Sequence, residues 1–320
     1  MQQPLAPADY ASSVVAVPPI ALNADHSVNA SANEAIIKHI EAGGVNILLY
    51  GGNANLYHFG LDAYRASMEA IKASTAPTTH LITSVGSDFG KAMAQVPIAR
   101  HLGFSNVMVL PTSFPADPAG VANGVRKLAA AFGSGLILYL KRENYVEPDE
   151  LAKLISEKAV SFVKYAVEKS DAADDPYLDA VLSAIGAEYL ASGMGETPIH
   201  DHLGKRKLTT YTSGAVCIAP TAASELLELY KSGRTAEAFE LSKPFLHFEK
   251  VRMMLGGIQV LHDGLRLSGV ADTGPLMPMV SNLPTDKLAP ASDAVEALKS
   301  AEEQAVSRSL ANRRRGVQVS

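Results

Sequence analysis

The chain has a single cysteine among its 320 residues, Cys217, so no internal disulfide can brace the fold. Its neighbours Val216, Ile218 and Ala219 are apolar, and a small packed thiol is expected there rather than a nucleophile. No apolar run approaches the ~20 residues that a helix needs to cross a bilayer, which excludes helical membrane insertion. An excess of positive charge is missing as well. The formal charge is −5, and the one basic run, Arg313 to Arg315, stands in a polar C-terminal stretch, so nucleic acid is not an expected partner. Residues 1–11 show neither the basic n-region nor the apolar h-region of a secretory signal, and together with the lone thiol this leads us to expect a reducing, cytoplasmic setting. The dinucleotide fingerprint G-x-G-x-x-G is also absent, since Gly51-Gly52-Asn53-Ala54-Asn55 follows the second apolar run.

What is present is the composition of a folded globular protein, with 47% hydrophobic and 19% charged residues. Short apolar, β-branched runs recur at 13–17, 45–50, 80–85, 106–110, 136–139, 160–164, 188–191 and 208–213. Helically spaced segments lie between them, at 32–41, 64–72, 91–102, 121–132, 150–156 and 177–185. Continuously apolar strands imply burial on both faces, as in a parallel sheet covered by helices. The repeated βα unit suits a closed barrel or an open doubly wound sheet, and without the dinucleotide fingerprint we expect an α/β (β/α)₈ TIM barrel. After Pro220 the strand signals stop, and 222–231, 236–255, 257–267 and 292–308 read as helices. Pro275, Pro278, Pro284 and Pro290 mark a loop ahead of the last of them. The expected division is a catalytic barrel at 10–232, a helical C-terminal extension at 233–312 and a flexible tail at 313–320.

A barrel of this type builds its active site at the C-terminal ends of the strands, so the residues at which each run stops are the informative ones. Lys164 closes the run Ala159-Val160-Ser161-Phe162-Val163 and shares a strand face with Val160 and Phe162. An ammonium in apolar surroundings is destabilised relative to the free amine, which yields a nucleophile able to attack a carbonyl near neutral pH. The alternative is a strand-end lysine that reaches solvent or pairs with Glu168. Tyr139 ends the run Leu136-Ile137-Leu138, where its hydroxyl can pass protons to a carbinolamine on the next strand; otherwise it is a core tyrosine with a satisfied hydroxyl. Gly51, Gly52 and Asn53 bring backbone N–H groups close to a ligand carboxylate, or form an ordinary βα turn. His200-Asp201-His202 holds metal-type ligands without a third partner, so a solvated loop and no metal are expected there.

The order and spacing of these residues resemble the dihydrodipicolinate synthase and N-acetylneuraminate lyase family from about Val14 to Leu255. The marks are Pro18-Pro19-Ile20, Gly51-Gly52-Asn53-Ala54-Asn55 where the family has Gly-Thr-Thr-Gly-Glu, Ile137-Leu138-Tyr139, Phe162-Val163-Lys164 and Gly193-Met194-Gly195-Glu196. The resemblance implies that Lys164 forms a Schiff base with a 2-oxo acid and that Tyr139 works with it. It also implies a (β/α)₈ barrel with a helical extension, assembled as a homotetramer or dimer, that needs no metal or nucleotide cofactor. Both threonines of the strand-two motif are replaced here, by Gly52 and Asn53, and Thr112 and Ser113 stand for the family's tyrosine pair after strand four. A threonine–tyrosine relay is therefore absent and dihydrodipicolinate synthesis itself is not expected. Asn53 can still hydrogen-bond a carboxylate, and Ser113 faces the expected substrate side. After strand five only Lys141 and Arg142 stand near the place of the arginine that binds the second substrate in the synthases, and neither is assigned that role.

Glu196 and Ser213 match family positions that contact substrate hydroxyls in the sialic acid lyases, which favours a hydroxylated sugar acid; a solvated loop carboxylate and a strand-end hydroxyl are the alternatives. The expected activity is thus that of a lyase of the class I aldolase kind, acting on pyruvate-type or 2-oxo-3-deoxy sugar acids. Dehydration of a 2-oxo-3-deoxy sugar acid through the same imine is the second reading. A barrel that binds a 2-oxo acid or sugar acid without turnover is the third.

Overall fold

The computed structural model describes residues 3–317, the last five by their backbone alone. Eight strands close into one parallel barrel in chain order: β1 (Val15–Ala16), β2 (Ile47–Tyr50), β3 (His80–Val85), β4 (Asn106–Val109), β5 (Leu136–Leu140), β6 (Val160–Tyr165), β7 (Leu190–Ser192) and β8 (Thr210–Ser213). Closure is made where β8 returns to β1, with Val15 opposite Thr212 and Ala16 opposite Ser213. With every edge paired, β2, β4 and β5 are buried along their whole length, which is why their residues are mostly apolar rather than alternating.

A single turn, α1 (Pro7–Tyr10), precedes the barrel, and the helices α2 (Ala30–Ala42), α3 (Leu61–Ser74), α4 (Phe89–His101), α5 (Pro118–Phe132), α6 (Pro148–Ser156), α7 (Pro176–Ile185) and α8 (Pro220–Lys231) surround it. Their starts are written locally. Proline opens α5, α6, α7 and α8, where its missing N–H costs nothing and its fixed φ favours the helix. Asn29, Asp117 and Asp175 cap α2, α5 and α7 by accepting the N–H groups of Ala32, Gly120 and Leu178. Tyr10 stacks on Phe162 with ring centroids 3.7 Å apart. The face of β6 that carries Phe162 is therefore filled at one end of the barrel and leaves Lys164 at the other.

The extension consists of α9 (Thr235–Leu255), α10 (Gly257–Ser268) and α11 (Leu288–Val317). Ala291, Ala294, Val295, Leu298, Ala301 and Ala305 form a buried stripe at helical spacing along α11, and this stripe seals the extension onto α8, α9 and α10.

Several boundaries differ from the sequence expectation. Residues 187–189 make a tight 3₁₀ turn, so β7 starts at Leu190, and β8 starts at Thr210 rather than 208. Pro290 lies inside the first turn of α11, where a helix tolerates proline, and not in the preceding loop. The helix path continues to Val317; of the tail expected to be flexible, 318–320 lie outside the described residues. The solvated loop expected at His200-Asp201-His202 is instead one widened helical turn, His200–Lys205, with His202 buried. Among the described residues no helix is long and apolar enough to cross a membrane.

Candidate active site

A cavity of about 790 Å³ opens at the C-terminal ends of the strands. Its inner wall is made by Tyr139 and Lys164, which face each other as register partners on β5 and β6. The Lys164 Nζ stands 4.4 Å from the centre of the Tyr139 ring. Lys164 is 7% exposed, and its pKa is lowered to about 7, first by burial and then by the positive charges of Lys141 and Arg252. Glu168, the partner considered for it, pairs instead with Lys141 at 2.6 Å. A sizeable fraction of the amine is therefore unprotonated at neutral pH, as carbonyl attack requires. Burial pushes the Tyr139 phenol upward, so it remains protonated and can donate.

Room for the Lys164 stem comes from the next strand. A Cβ on Gly193 would lie 2.6 Å from the Tyr165 carbonyl oxygen and 2.9 Å from Lys164 Cγ. Only a residue without a side chain fits there, which gives the Gly193-Met194-Gly195-Glu196 segment a steric meaning. At Gly195, with φ +62°, a Cβ would meet the Glu249 carboxyl carbon at 2.9 Å.

The outer wall comes from α9. Arg252 donates from Nη1 to Glu249 Oε1 at 2.7 Å, from Nη2 to Asn53 Oδ1 at 3.1 Å and from Nε to the Gly257 carbonyl at 3.0 Å. Asn53 lines the cavity, but its amide is already engaged, because Nδ2 also donates to the Val17 carbonyl at 3.1 Å. Gly52 sits in the turn beneath it, its carbonyl accepting the Asn55 N–H at 2.9 Å, and is not among the lining residues.

Glu196 and Ser213 lie just behind the wall. Both are fully buried, and Ser213 Oγ donates to Glu196 Oε1 at 2.6 Å while accepting the Val216 N–H at 3.0 Å. Glu196 is therefore not a solvated loop carboxylate. Its Oε2 has no partner, and burial, followed by the negative charge of Glu249, pushes its pKa well above the carboxylate range. A neutral carboxylic acid is the form this pocket tolerates. Ser113 is exposed on the loop after β4 and does not line the cavity. Arg142 is held nearby, with Nη1 donating to the Thr112 carbonyl at 2.7 Å and its guanidinium over the Tyr145 ring.

The sequence holds no sign of two groups of the wall, and puts a third, His202, in a solvated loop. Arg252 and Glu249 lie in a long helix where an acidic–basic pair three residues apart ordinarily marks a solvated face, and nothing local separates them from the exposed pair Lys243 and Glu240. His202 lines the cavity with its Nδ1 2.8 Å from Ser192 Oγ, and burial lowers its pKa to about 4, so it is neutral. Among the described residues no three His, Cys, Asp or Glu side chains converge in a metal-binding group. Cys217 is buried, with its thiol pKa pushed up by that burial.

The fold and this site define a (β/α)₈ barrel with a buried, partly deprotonated lysine at its mouth. No protein-family model matches the chain. It is 25% identical over 248 residues, covering 74% of this chain and 79% of the relative, to a probable 5-dehydro-4-deoxyglucarate dehydratase of Chelativorans sp. (strain BNC1). Its fold is that of dihydrodipicolinate synthase from Bacillus clausii, with a TM-score of 0.81, 17% identity and coverage of 91% of this chain and 99% of the other. It is likewise that of the Ruminococcus gnavus sialic acid aldolase, with a TM-score of 0.78, 14% identity and coverage of 92% and 99%. The chain thus shares sequence with a probable 5-dehydro-4-deoxyglucarate dehydratase, and its fold with a dihydrodipicolinate synthase and a sialic acid aldolase.

Proposed function

We propose that the protein is a Schiff-base lyase acting on a small 2-oxo acid. The observation that carries this reading is Lys164: a buried amine, paired with no carboxylate, its pKa lowered to about 7, beside a protonated phenol in a cavity at the barrel mouth. Lys164 Nζ attacks the ketone carbon, and the carbonyl oxygen takes a proton to give a carbinolamine. Loss of water then leaves an iminium, which accepts the electron pair released when a C–C bond to the adjacent carbon breaks or when a proton leaves that carbon ahead of β-elimination. Tyr139 is placed to move protons to and from the carbinolamine oxygen. In this scheme the iminium is the electron sink, and the chemistry calls for no metal or nucleotide.

Retro-aldol release of pyruvate and dehydration of a 2-oxo-3-deoxy sugar acid both use this imine. The similarity to a dehydratase in sequence favours giving the second equal weight. A homo-oligomer, dimer or tetramer, located in the cytoplasm is part of the same proposal. Borohydride reduction in the presence of pyruvate, and separately of 2-oxo-3-deoxy sugar acids, tests it by intact and peptide mass spectrometry. A reduced adduct on the Lys164 peptide, absent in Lys164→Ala, is the expected result. If no 2-oxo acid leaves an adduct, the Schiff-base reading fails and a binding-only barrel becomes the better account.

A further inference from the structure

A 2-oxo acid brings a carboxylate one bond from the carbon that Lys164 attacks, and close to a buried amine that charge is best met by a cation or several N–H donors. The side chain of the strand-two loop offers little, since Asn53 spends its carbonyl on Arg252 and one amide N–H on Val17. Four cationic side chains line the cavity: Lys141, Lys164, Lys169 and Arg252. Lys164 is reserved for the ketone. Lys141 is held by Glu168, and Lys169 is held by Glu143 and lies 3.4 Å from Asp175.

Arg252 is also ion-paired, with Glu249, but differs from both lysines in the number and arrangement of its donors. Its guanidinium has five N–H donors, three of which are engaged by Glu249, Asn53 and Gly257, leaving one on each terminal nitrogen. Those three contacts fix the plane of the group, so little side-chain freedom remains to be lost when an anion binds. A Cβ on Gly214 would stand 3.1 Å from Nη1, which places the guanidinium directly over the end of β8. Arg252 lines the same cavity as Lys164 and Tyr139.

We propose that Arg252, carried in by α9 and aimed by Asn53, Glu249 and Gly257, binds the carboxylate of the 2-oxo acid. Asn53 and Glu249 are then positioning residues, and the extension completes the active site. This rests on the Schiff-base reading for the identity of the ligand, whereas carboxylate recognition itself can be measured without the imine.

The test uses the full chain as wild type, Arg252→Gln and Arg252→Lys, trapped with borohydride over graded pyruvate and graded hydroxyacetone, an uncharged ketone of similar size. Removing a charged hydrogen-bond partner should raise the half-saturating pyruvate concentration about ten- to a hundredfold, with hydroxyacetone changed by less than about threefold. Arg252→Lys should fall between, keeping the charge without the two-pronged geometry. An unchanged pyruvate response in both variants, or equal losses for both ketones, would overturn the assignment. A parallel arm records saturation-transfer NMR of pyruvate with Lys164→Ala and with Lys164→Ala/Arg252→Gln. If wild type traps nothing, the imine reading has failed, and this arm decides the present one: signal lost only in the double variant supports carboxylate binding by Arg252, and equal signals refute it.

Discussion

The two walls of the cavity were built differently. The inner wall, Tyr139 and Lys164, consists of adjacent strand ends whose direction follows from period-two alternation and whose neighbours are set by parallel pairing. The outer wall, Glu249 and Arg252, comes from a helix that follows the whole barrel and touches Asn53 across a gap of 199 positions. The inner wall depends on local pattern plus barrel closure. The outer wall depends on how the extension packs, and a change in that packing would move the charges without altering a strand. A protein can thus keep a buried lysine in place while a separate element sets the electrostatics around it.

The sharpest way to break this comparison is to remove the inner-wall amine. Lys164→Met should abolish adduct formation and turnover and, because the buried ammonium is destabilised, should raise folding stability. The pKa is lower in the folded state than the ordinary 10.5, so the unfolded chain binds more protons between about pH 7 and pH 10.5. The penalty carried by Lys164 is complete below about pH 7 and fades as the pH rises toward 10.5. The gain from Lys164→Met should therefore be on the order of a few kcal/mol near pH 6 and shrink toward pH 10, measured by urea unfolding across that range. A gain that does not depend on pH would show that burial is not what lowers the lysine.

The next largest effect concerns fit. Gly193→Ala places a methyl group against the Tyr165 carbonyl and the Lys164 stem, so it should cost about 1–3 kcal/mol and sharply reduce trapping on Lys164. Wild-type trapping in this variant would mean that β7 gives way freely. Tyr139→Phe should lower turnover about 10²- to 10⁴-fold, the range for loss of a general acid–base group, with a much smaller change in stability. If its rate matches wild type, proton transfer runs through another group, and His202 is the next candidate on the wall.

The buried pair behind the wall gives the mildest and most diagnostic case. Glu196 is held neutral by burial and by Glu249, so Glu196→Gln should be at least as stable as wild type at pH 7, while Glu196→Ala, which leaves Ser213 without its acceptor, should lie about 1–3 kcal/mol below Glu196→Gln. Thermal melts of the two variants side by side check this, and equal losses would indicate that the carboxyl is ionised. Because its folded-state pKa is raised, the stability Glu196 contributes is present below about pH 4.5 and lost as the pH rises through the folded value. Glu196→Gln should accordingly flatten the fall in stability as the pH rises above about 4.5.

Much of the architecture is legible in the sequence. The apolar runs located all eight strands, with β3 matching its expected span and the others shifted by a few residues, since a strand's limits are set by where its neighbours pair. The start of β7 was misread because Glu188 and Tyr189 look like strand residues, yet the cap at Gly186 turns them into a 3₁₀ segment. Pro290 was read as a loop residue because a first-turn proline and a loop proline look alike in sequence.

Within the cavity, sequence by itself determined the inner wall. Lys164 and Tyr139 lie at the ends of apolar runs, and in a parallel barrel the end of a strand is the mouth, so local pattern placed both there, while the family resemblance singled them out as a pair. Only the tertiary structure decided the rest: that Glu168 turns away to Lys141, that Glu196 is buried with an unpaired oxygen, that His202 is folded inward, and that Arg252 reaches Asn53. The reason is physical. Burial and charge pairing between distant segments depend on the packing of whole elements, and no short stretch of sequence records which of its solvated-looking charges that packing will enclose.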